Sequence, residues 1–271
     1  MEPSKKFEGV YTNLSNDDYH AEKAHMSSSN LKMLLKDTEK FYQEKVLGKK
    51  ENIQKNAFDE GNYAHALILE PELIEDDYAF FPGFRKSGKD WEQFKESNGG
   101  KIILSKPQKA RVEKWFEAYK QRPEAVELIT KSKPEVSLFT ELAGVPIKVR
   151  ADALSVEHGF IADVKTTAYN PEIDSFKLVV ENLKYDLSAA LYYTAFEKKY
   201  GKPFDFYFIV LGKKDIICEV YKASRQTLDK GNLEVMEALN IYKKRLESGD
   251  WSNGVKSLTL DVQTNYEIQE I

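Results

Sequence analysis

The stretch "PIKVRADALSVEHGFIADVKTT", Pro146 to Thr167, decides the fold. Two runs rich in β-branched and apolar residues flank "EHG", Glu157 to Gly159, which has the composition of a tight turn. Side chains alternate across a strand. Ile147, Val149, Ala151 and Ala153 are therefore expected on one face, and Lys148, Arg150 and Asp152 on the other. By the same rule Phe160, Ala162 and Val164 share a face, and Ile161, Asp163 and Lys165 share the opposite one. Pairing through the turn would bring Asp152 and Asp163 together near one sheet edge. Glu135, in "PEVSLF", would approach from the preceding strand. Two close, partly buried carboxylates repel each other. A hard cation such as Mg2+ or Mn2+ removes that penalty, taking a few protein oxygens and completing its shell with water and phosphate. Lys165 then stands where it can orient or help deprotonate an attacking water, or stabilise phosphate charge. Such a set of parts suits phosphodiester hydrolysis. D-x-K alone is a weak signal, and alternating charges also fit a solvated sheet face. The partner aspartate across a strand–turn–strand unit strengthens it.

Working outward, "EVSLFTEL" precedes the pair as a third strand. A helical stretch is expected from about Pro171 to Tyr200. "FDFYFIVLGKK" reads as a buried strand, "DIICEVYKAS" as the next, and "RQTLDKGNLEVMEALNIYKKRLESG" as a closing helix. Towards the N-terminus the chain reads as mainly helical. Leu31, Leu34, Leu35 and Phe41 recur at helical spacing after a run of serines, and "NAFDEGNYAHALILEP" forms a second helix. Ser105 is placed to cap a third helix with a stripe of Val112, Trp115, Phe116 and Tyr119. Residues 76–101 read as a mobile surface loop with one short helix at most. The expected organisation is a single domain over 1–271: a mainly helical part over 1–130, the core over 131–248, and a tail over 249–271 with no assignment.

The bulk composition narrows the class. In 271 residues there is one cysteine, Cys218, which excludes a disulfide framework and a cysteine-ligated zinc or iron–sulfur centre. A net charge of −4 means that an anionic partner must be met by a local basic patch. No signal peptide and no span of about 20 apolar residues is visible, so a soluble cytoplasmic protein without membrane contact is expected.

The central constellation resembles the PD-(D/E)-x-K nuclease superfamily, and within it the RecE-type, exonuclease VIII-like phage exonucleases. The resemblance rests on five stretches in order: "GNYAHALILEP" (Gly61 to Pro71), "EVS" (Glu135 to Ser137), "KVRAD" (Lys148 to Asp152), "DVKTT" (Asp163 to Thr167) and "YDLSAALY" (Tyr185 to Tyr192). Ala151 stands where the family usually has proline, and Ser188 where it usually has a longer glutamine. The similarity runs from about Asp18 to Tyr221. It implies a restriction-endonuclease-like α/β core, a mixed central sheet flanked by helices, with an N-terminal helical extension. It implies Lys165, Asp163, Asp152, Glu135 and His65 as catalytic residues. His65, Asp152, Asp163 and Val164 are implied as the metal set for Mg2+, with Mn2+ as a substitute. It further implies 5′ to 3′ digestion of one strand from double-stranded DNA ends, a ring-like trimer or tetramer, and a single-strand annealing partner. The setting would be phage or prophage recombination in a bacterial cytoplasm. Two alternatives use the same residues: a structure-specific or helicase-associated endonuclease on the same core, and a DNA-binding recombination accessory that does not cleave.

Further DNA contacts are expected from Lys148 and Arg150 on the strand face of Asp152, and from Tyr185 and Ser188 on the following helix. Ser29 and Lys32 lie at a helix start, where backbone N–H groups favour an anion, although plain capping explains the serines as well. Arg85 lies in "FPGFRKSGKDW", where basic and aromatic residues interleave in a way that suits unpaired bases. A plain surface loop explains that stretch equally well. Glu70 and Glu72 read as helix-end charges.

Overall fold

The hairpin stretch forms two strands inside a six-stranded sheet. The computed structural model describes residues 7–49 and 57–253. In chain order it contains β1 (Gly9–Tyr11), α1 (Asn16–Ala21), α2 (Ser28–Lys36), α3 (Thr38–Phe41), α4 (Ala57–Leu69), α5 (Ile74–Asp77), β2 (Tyr78–Phe81), α6 (Lys89–Ser97), β3 (Ile102–Ser105), α7 (Lys106–Lys120), α8 (Pro123–Thr130), β4 (Lys133–Leu142), β5 (Val145–Ser155), β6 (Phe160–Thr167), α9 (Ile173–Asn182), α10 (Tyr185–Tyr200), β7 (Asp205–Gly212), β8 (Cys218–Lys222) and α11 (Arg225–Ser248). The main sheet has the order β1-β4-β5-β6-β7-β8. Its pairs are antiparallel except β6–β7, which are parallel and joined through α9 and α10. This is the mixed sheet expected from the sequence, with β1 added at one edge.

Both faces of the sheet are covered. Ile147, Val149, Ile161, Phe206 and Phe208 pack under α2, α10 and α11. Ala162, Val164, Ile209 and Leu211 pack under α4, α7 and α8. A strand buried on both sides tolerates charge only where a specific partner meets it, so any charged side chain in the middle of β5 or β6 needs an explanation.

Three local departures matter. Residues 76–101 are not a plain loop: β2 and β3 pair in parallel around α6, over a small cluster of Ala79, Phe81 and Ile103 with Trp91 and Phe94. The helical stretch before β7 is broken in two at Lys184, whose φ is +50°. The start of the expected tail is part of the domain. Trp251 is buried and stacks on Tyr42 and Phe41 at 5.3 and 5.7 Å between ring centres. Beside it, Thr38 donates its N–H to Asn253 Oδ1 at 2.9 Å and its hydroxyl to the Trp251 carbonyl at 3.0 Å. Ser105 caps α7 as expected, in a reciprocal box with Gln108. Among the described residues no helix is long and apolar enough to cross a membrane.

Candidate active site

The site is a fork in the sheet. β5 and β6 pair at only three positions: Ser155 with Phe160, Leu154 with Ile161, and Ala153 with Ala162. β6 continues against β7 as far as Thr167. The next step of the hairpin register would set Asp152 against Asp163, and there the strands part. The Val164 N–H donates to Asp152 Oδ2 at 2.7 Å, in place of a β5 carbonyl. Opposite Asp152 on β4, Glu135 lies between the Pro134–Ala153 and Val136–Ala151 pairs with φ of +50°. A non-glycine residue there costs about 1–2 kcal/mol, so the flanking pairs hold a strained backbone at the fork. The alternation of β5 also slips here. Ala151 and Leu154 share one apolar cluster while Ala153 lies in the other, which corrects the expectation that Ala151 and Ala153 face the same way.

Side chains enter the fork from both helical layers. From α4, His65 Nδ1 lies 3.6 Å from Asp152 Oδ2. Asp163 is 5% exposed. Lys165 Nζ is 2.5 Å from Asp163 Oδ2 and 3.5 Å from the Val164 carbonyl. From the opposite layer, the Tyr185 ring has Lys165 Nζ 5.4 Å and Lys32 Nζ 5.1 Å from its centre. His65, Asp152, Asp163, Lys165, Tyr185 and Lys32 are therefore brought to one place.

The electrostatics follow from burial in an acidic pool. Burial, then Asp152, push Glu135 up to about 8 against the opposing pull of Arg150; Glu70 and Asp163 add to the rise. Glu70, read from sequence as a helix-end charge, thus belongs to the site's field. Its signal was its place in the His65 stretch. Burial also lifts the Asp163 carboxyl, although Lys165 opposes it. For Lys165, burial acts to strip the proton, but Asp163 and Asp152 outweigh it and hold the ammonium above the ordinary lysine range. Lys32 is pulled down to about 8 by burial, then by Lys165, and makes no ion pair among the described residues.

The donor set fits a hard divalent cation. Carboxylates of Asp152 and Asp163, one imidazole and a backbone carbonyl are the right chemistry. Among the described residues no three His, Cys, Asp or Glu side chains form a ready-made cage. The fit is the open kind, in which few protein ligands leave room for water and phosphate.

Two expected DNA contacts are structural. Lys148 is 5% exposed, donates to the Tyr19 carbonyl at 2.6 Å and to the Glu22 carbonyl, and faces the Glu22 carboxylate at 3.8 Å. Arg150 is 8% exposed and donates to Ser137 Oγ at 2.8 Å, Asn16 Oδ1 at 2.6 Å and the Leu14 carbonyl at 2.7 Å. The segment around α1 folds over this sheet face and uses both cations as anchors, so neither is available to phosphate. Arg150→Ala should therefore lower stability by about 2–4 kcal/mol, since several buried acceptors lose their donor. Arg150→Lys should not restore it, lacking the planar fork. Thermal melting checks this; an unchanged melting temperature would return Arg150 to the DNA surface. At the start of α2 the cap is Ser27, boxed with Asn30. Ser29 is exposed, with its Oγ 2.9 Å from Ser27 Oγ. Ser188 is buried one turn after Tyr185. Arg85 lies between β2 and α6, outside the fork.

Comparison with known proteins places the family and the fold. Residues 27–256 match the PDDEXK-like domain of unknown function DUF3799. A crystal structure of a candidate exonuclease from Eubacterium rectale aligns over 88% of this chain and 87% of its own, with TM-score 0.63 and 18% identity, a likeness of fold. A phage-related exonuclease from Haemophilus somnus 129PT aligns over 85% of this chain and 99% of its own, at TM-score 0.38 and 12% identity, too loosely to carry an argument. No curated protein sequence matches. The family match runs from α2 through the whole fork to α11, and on that ground the chain belongs to the PDDEXK-like DUF3799 family.

Proposed function

We propose that the chain is a divalent-cation-dependent DNA exonuclease that digests the 5′-terminated strand of linear duplex DNA and so exposes single strands for recombination by annealing. The observation that carries the reading is the fork, which draws His65, Asp152, Asp163 and Lys165 together at a strained point of a buried sheet. His65, Asp152, Asp163 and the Val164 carbonyl would hold the cation, Mg2+ in preference with Mn2+ as substitute. When bound, the cation neutralises charge on the scissile phosphate and acidifies an attacking water. Lys165 then faces that phosphate as a fixed positive charge, released from part of its pairing with Asp163. Lys32 lies beside it without a carboxylate of its own and is suited to a second phosphate oxygen or a terminal phosphate. Tyr185 holds both ammonium groups against its ring.

The 5′ to 3′ direction, a ring-like trimer or tetramer, an annealing-protein partner and a bacterial cytoplasmic setting rest on the resemblance to RecE-type exonucleases. The Eubacterium rectale neighbour, a candidate exonuclease, bears only on the exonuclease part of the reading. An end-labelled linear duplex and a closed circle, incubated with Mg2+, test the reading. The expected result is early loss of the 5′ label, a retained 3′ label and an untouched circle. Early release of the 3′ label would overturn the direction. An opened circle would replace the exonuclease with an endonuclease, and no cleavage of either substrate would leave a DNA-binding accessory.

A further inference from the structure

The unit β2–α6–β3 plays no part in the fork, yet it is built to display an aromatic ring among cations. Phe84, on the turn after β2, is 75% exposed, the most exposed large apolar side chain among the described residues. Its turn is pinned. Gly83 lies so close under the Phe81 ring that a Cβ there would be 2.3 Å from a ring carbon, and the Gly83 carbonyl accepts from the Lys106 N–H at 3.3 Å. Phe81 in turn packs against Trp91 and Phe94, each at 5.4 Å between ring centres. The exposed ring therefore projects from an anchored turn.

Lysines lie over three of the unit's rings. Lys106 Nζ lies 5.9 Å from the Phe84 ring centre, Lys86 Nζ 5.8 Å from that of Trp91, and Lys109 Nζ 4.8 Å from that of Phe80. Lys86 also faces Asp59 at 3.5 Å and Lys109 faces Glu113 at 3.0 Å. Arg85, Lys89 and Lys106 make no ion pair among the described residues. So an exposed aromatic ring stands beside Lys106, with Arg85 next to it in the chain and Lys89 at the start of α6. The Lys86–Asp59 contact fixes the unit to the start of α4, and six residues later on that helix is His65, about 9 Å along the axis. The patch is thus tied to the same helix that supplies His65 to the fork.

We infer that this unit is a binding platform for an unpaired DNA strand, with Phe84 stacking on a base and Arg85, Lys89 and Lys106 holding its phosphates. Every base offers a π face, so a ring among cations binds single strands with little sequence preference. A blunt duplex keeps its bases stacked inside and cannot use the ring. The inference rests on the DNA-processing reading above and adds to it a second surface, specific for unpaired strand. An enzyme that removes one strand generates such a ligand at every step.

The test is binding without cleavage. Full-length protein in EDTA is titrated into a labelled oligothymidylate and into a blunt duplex at several salt concentrations. Phe84→Ala should weaken oligothymidylate binding by about five-fold or more, with its salt dependence unchanged and duplex binding within two-fold of wild type. Phe84→Trp should bind as wild type. Lys106→Ala should lower the slope of log affinity against log salt by about 0.7, the loss of one phosphate contact on a single strand. Because Phe84 is exposed, melting temperatures should not change. The platform is overturned if Phe84→Ala binds oligothymidylate as wild type does, or if it weakens duplex and single strand alike. Wild type that cuts linear duplex but does not bind oligothymidylate also overturns it, and leaves the exonuclease standing. Wild type that neither cuts nor binds DNA in either form removes both.

Discussion

Lys165→Ala is expected to abolish cleavage, by about a hundred-fold or more in single-turnover rate, while the protein stays folded. The ammonium lies 2.5 Å from Asp163 Oδ2 and is the cation paired with that carboxylate. Its removal leaves Asp163 buried without a countercharge, so in EDTA the variant should melt below wild type, by about 1–3 kcal/mol. Adding Mg2+ should return most of that stability, because the cation supplies the missing charge, and should not return cleavage. Lys165→Arg should also fail to cleave, since a planar fork cannot occupy the place of a compact ammonium. Asp163→Asn gives the complementary outcome: cleavage lost, duplex binding kept, and Mg2+ no longer raising the melting temperature. A Lys165→Ala variant that cleaves at the wild-type rate per folded molecule would confine the residue to a structural role.

The second large effect lies away from the chemistry. α10 and α11 touch at Gly231, where a Cβ would sit 2.1 Å from the Asp186 carbonyl oxygen and 2.9 Å from the Ala190 Cβ. The obstacle at Asp186 is helical backbone, which cannot turn aside as a side chain can. Gly231→Ala should therefore cost about 3 kcal/mol, a fall in melting temperature of roughly 6–12 °C for a domain of this size. Asp186, 1% exposed, also pairs with Lys230 at 2.5 Å, so a forced shift strains an ion pair as well. Tyr185 immediately precedes Asp186, and cleavage should decline along with stability. A melting temperature within about a degree of wild type would mean that the two helices separate more freely than their contact indicates.

Much of this architecture was legible because its signals are local. The turn at Glu157–Gly159, the apolar run in β7 and the cap at Ser105 each follow from a few neighbouring residues. The meeting of Asp152 and Asp163 follows from counting back along the hairpin. What escaped depends on distant chain. Alternation placed Lys148 and Arg150 correctly on the face away from Ile147, but could not show that residues 14–22 cover that face. β2 and β3 have four residues each and pair across a helix, so neither shows a clear period. The break at Lys184 has no glycine or proline to mark it. The slip at Asp152 had no sequence cue either: the left-handed Glu135 opposite it is imposed by the ladder on both sides.

The contact between Trp251 and the helices near Phe41 has a consequence for synthesis. Thr38 and Asn253, which share a hydrogen bond, are 215 residues apart. At about 5–20 residues per second, a ribosome takes roughly 10–40 s to travel from one to the other. During that interval the ring of Phe41 lacks the indole that later covers it, and the strands of the fork are made before that indole is. The nascent chain therefore carries an exposed aromatic surface until nearly all of the described residues have been translated, a natural point of engagement for a chaperone that acts during translation.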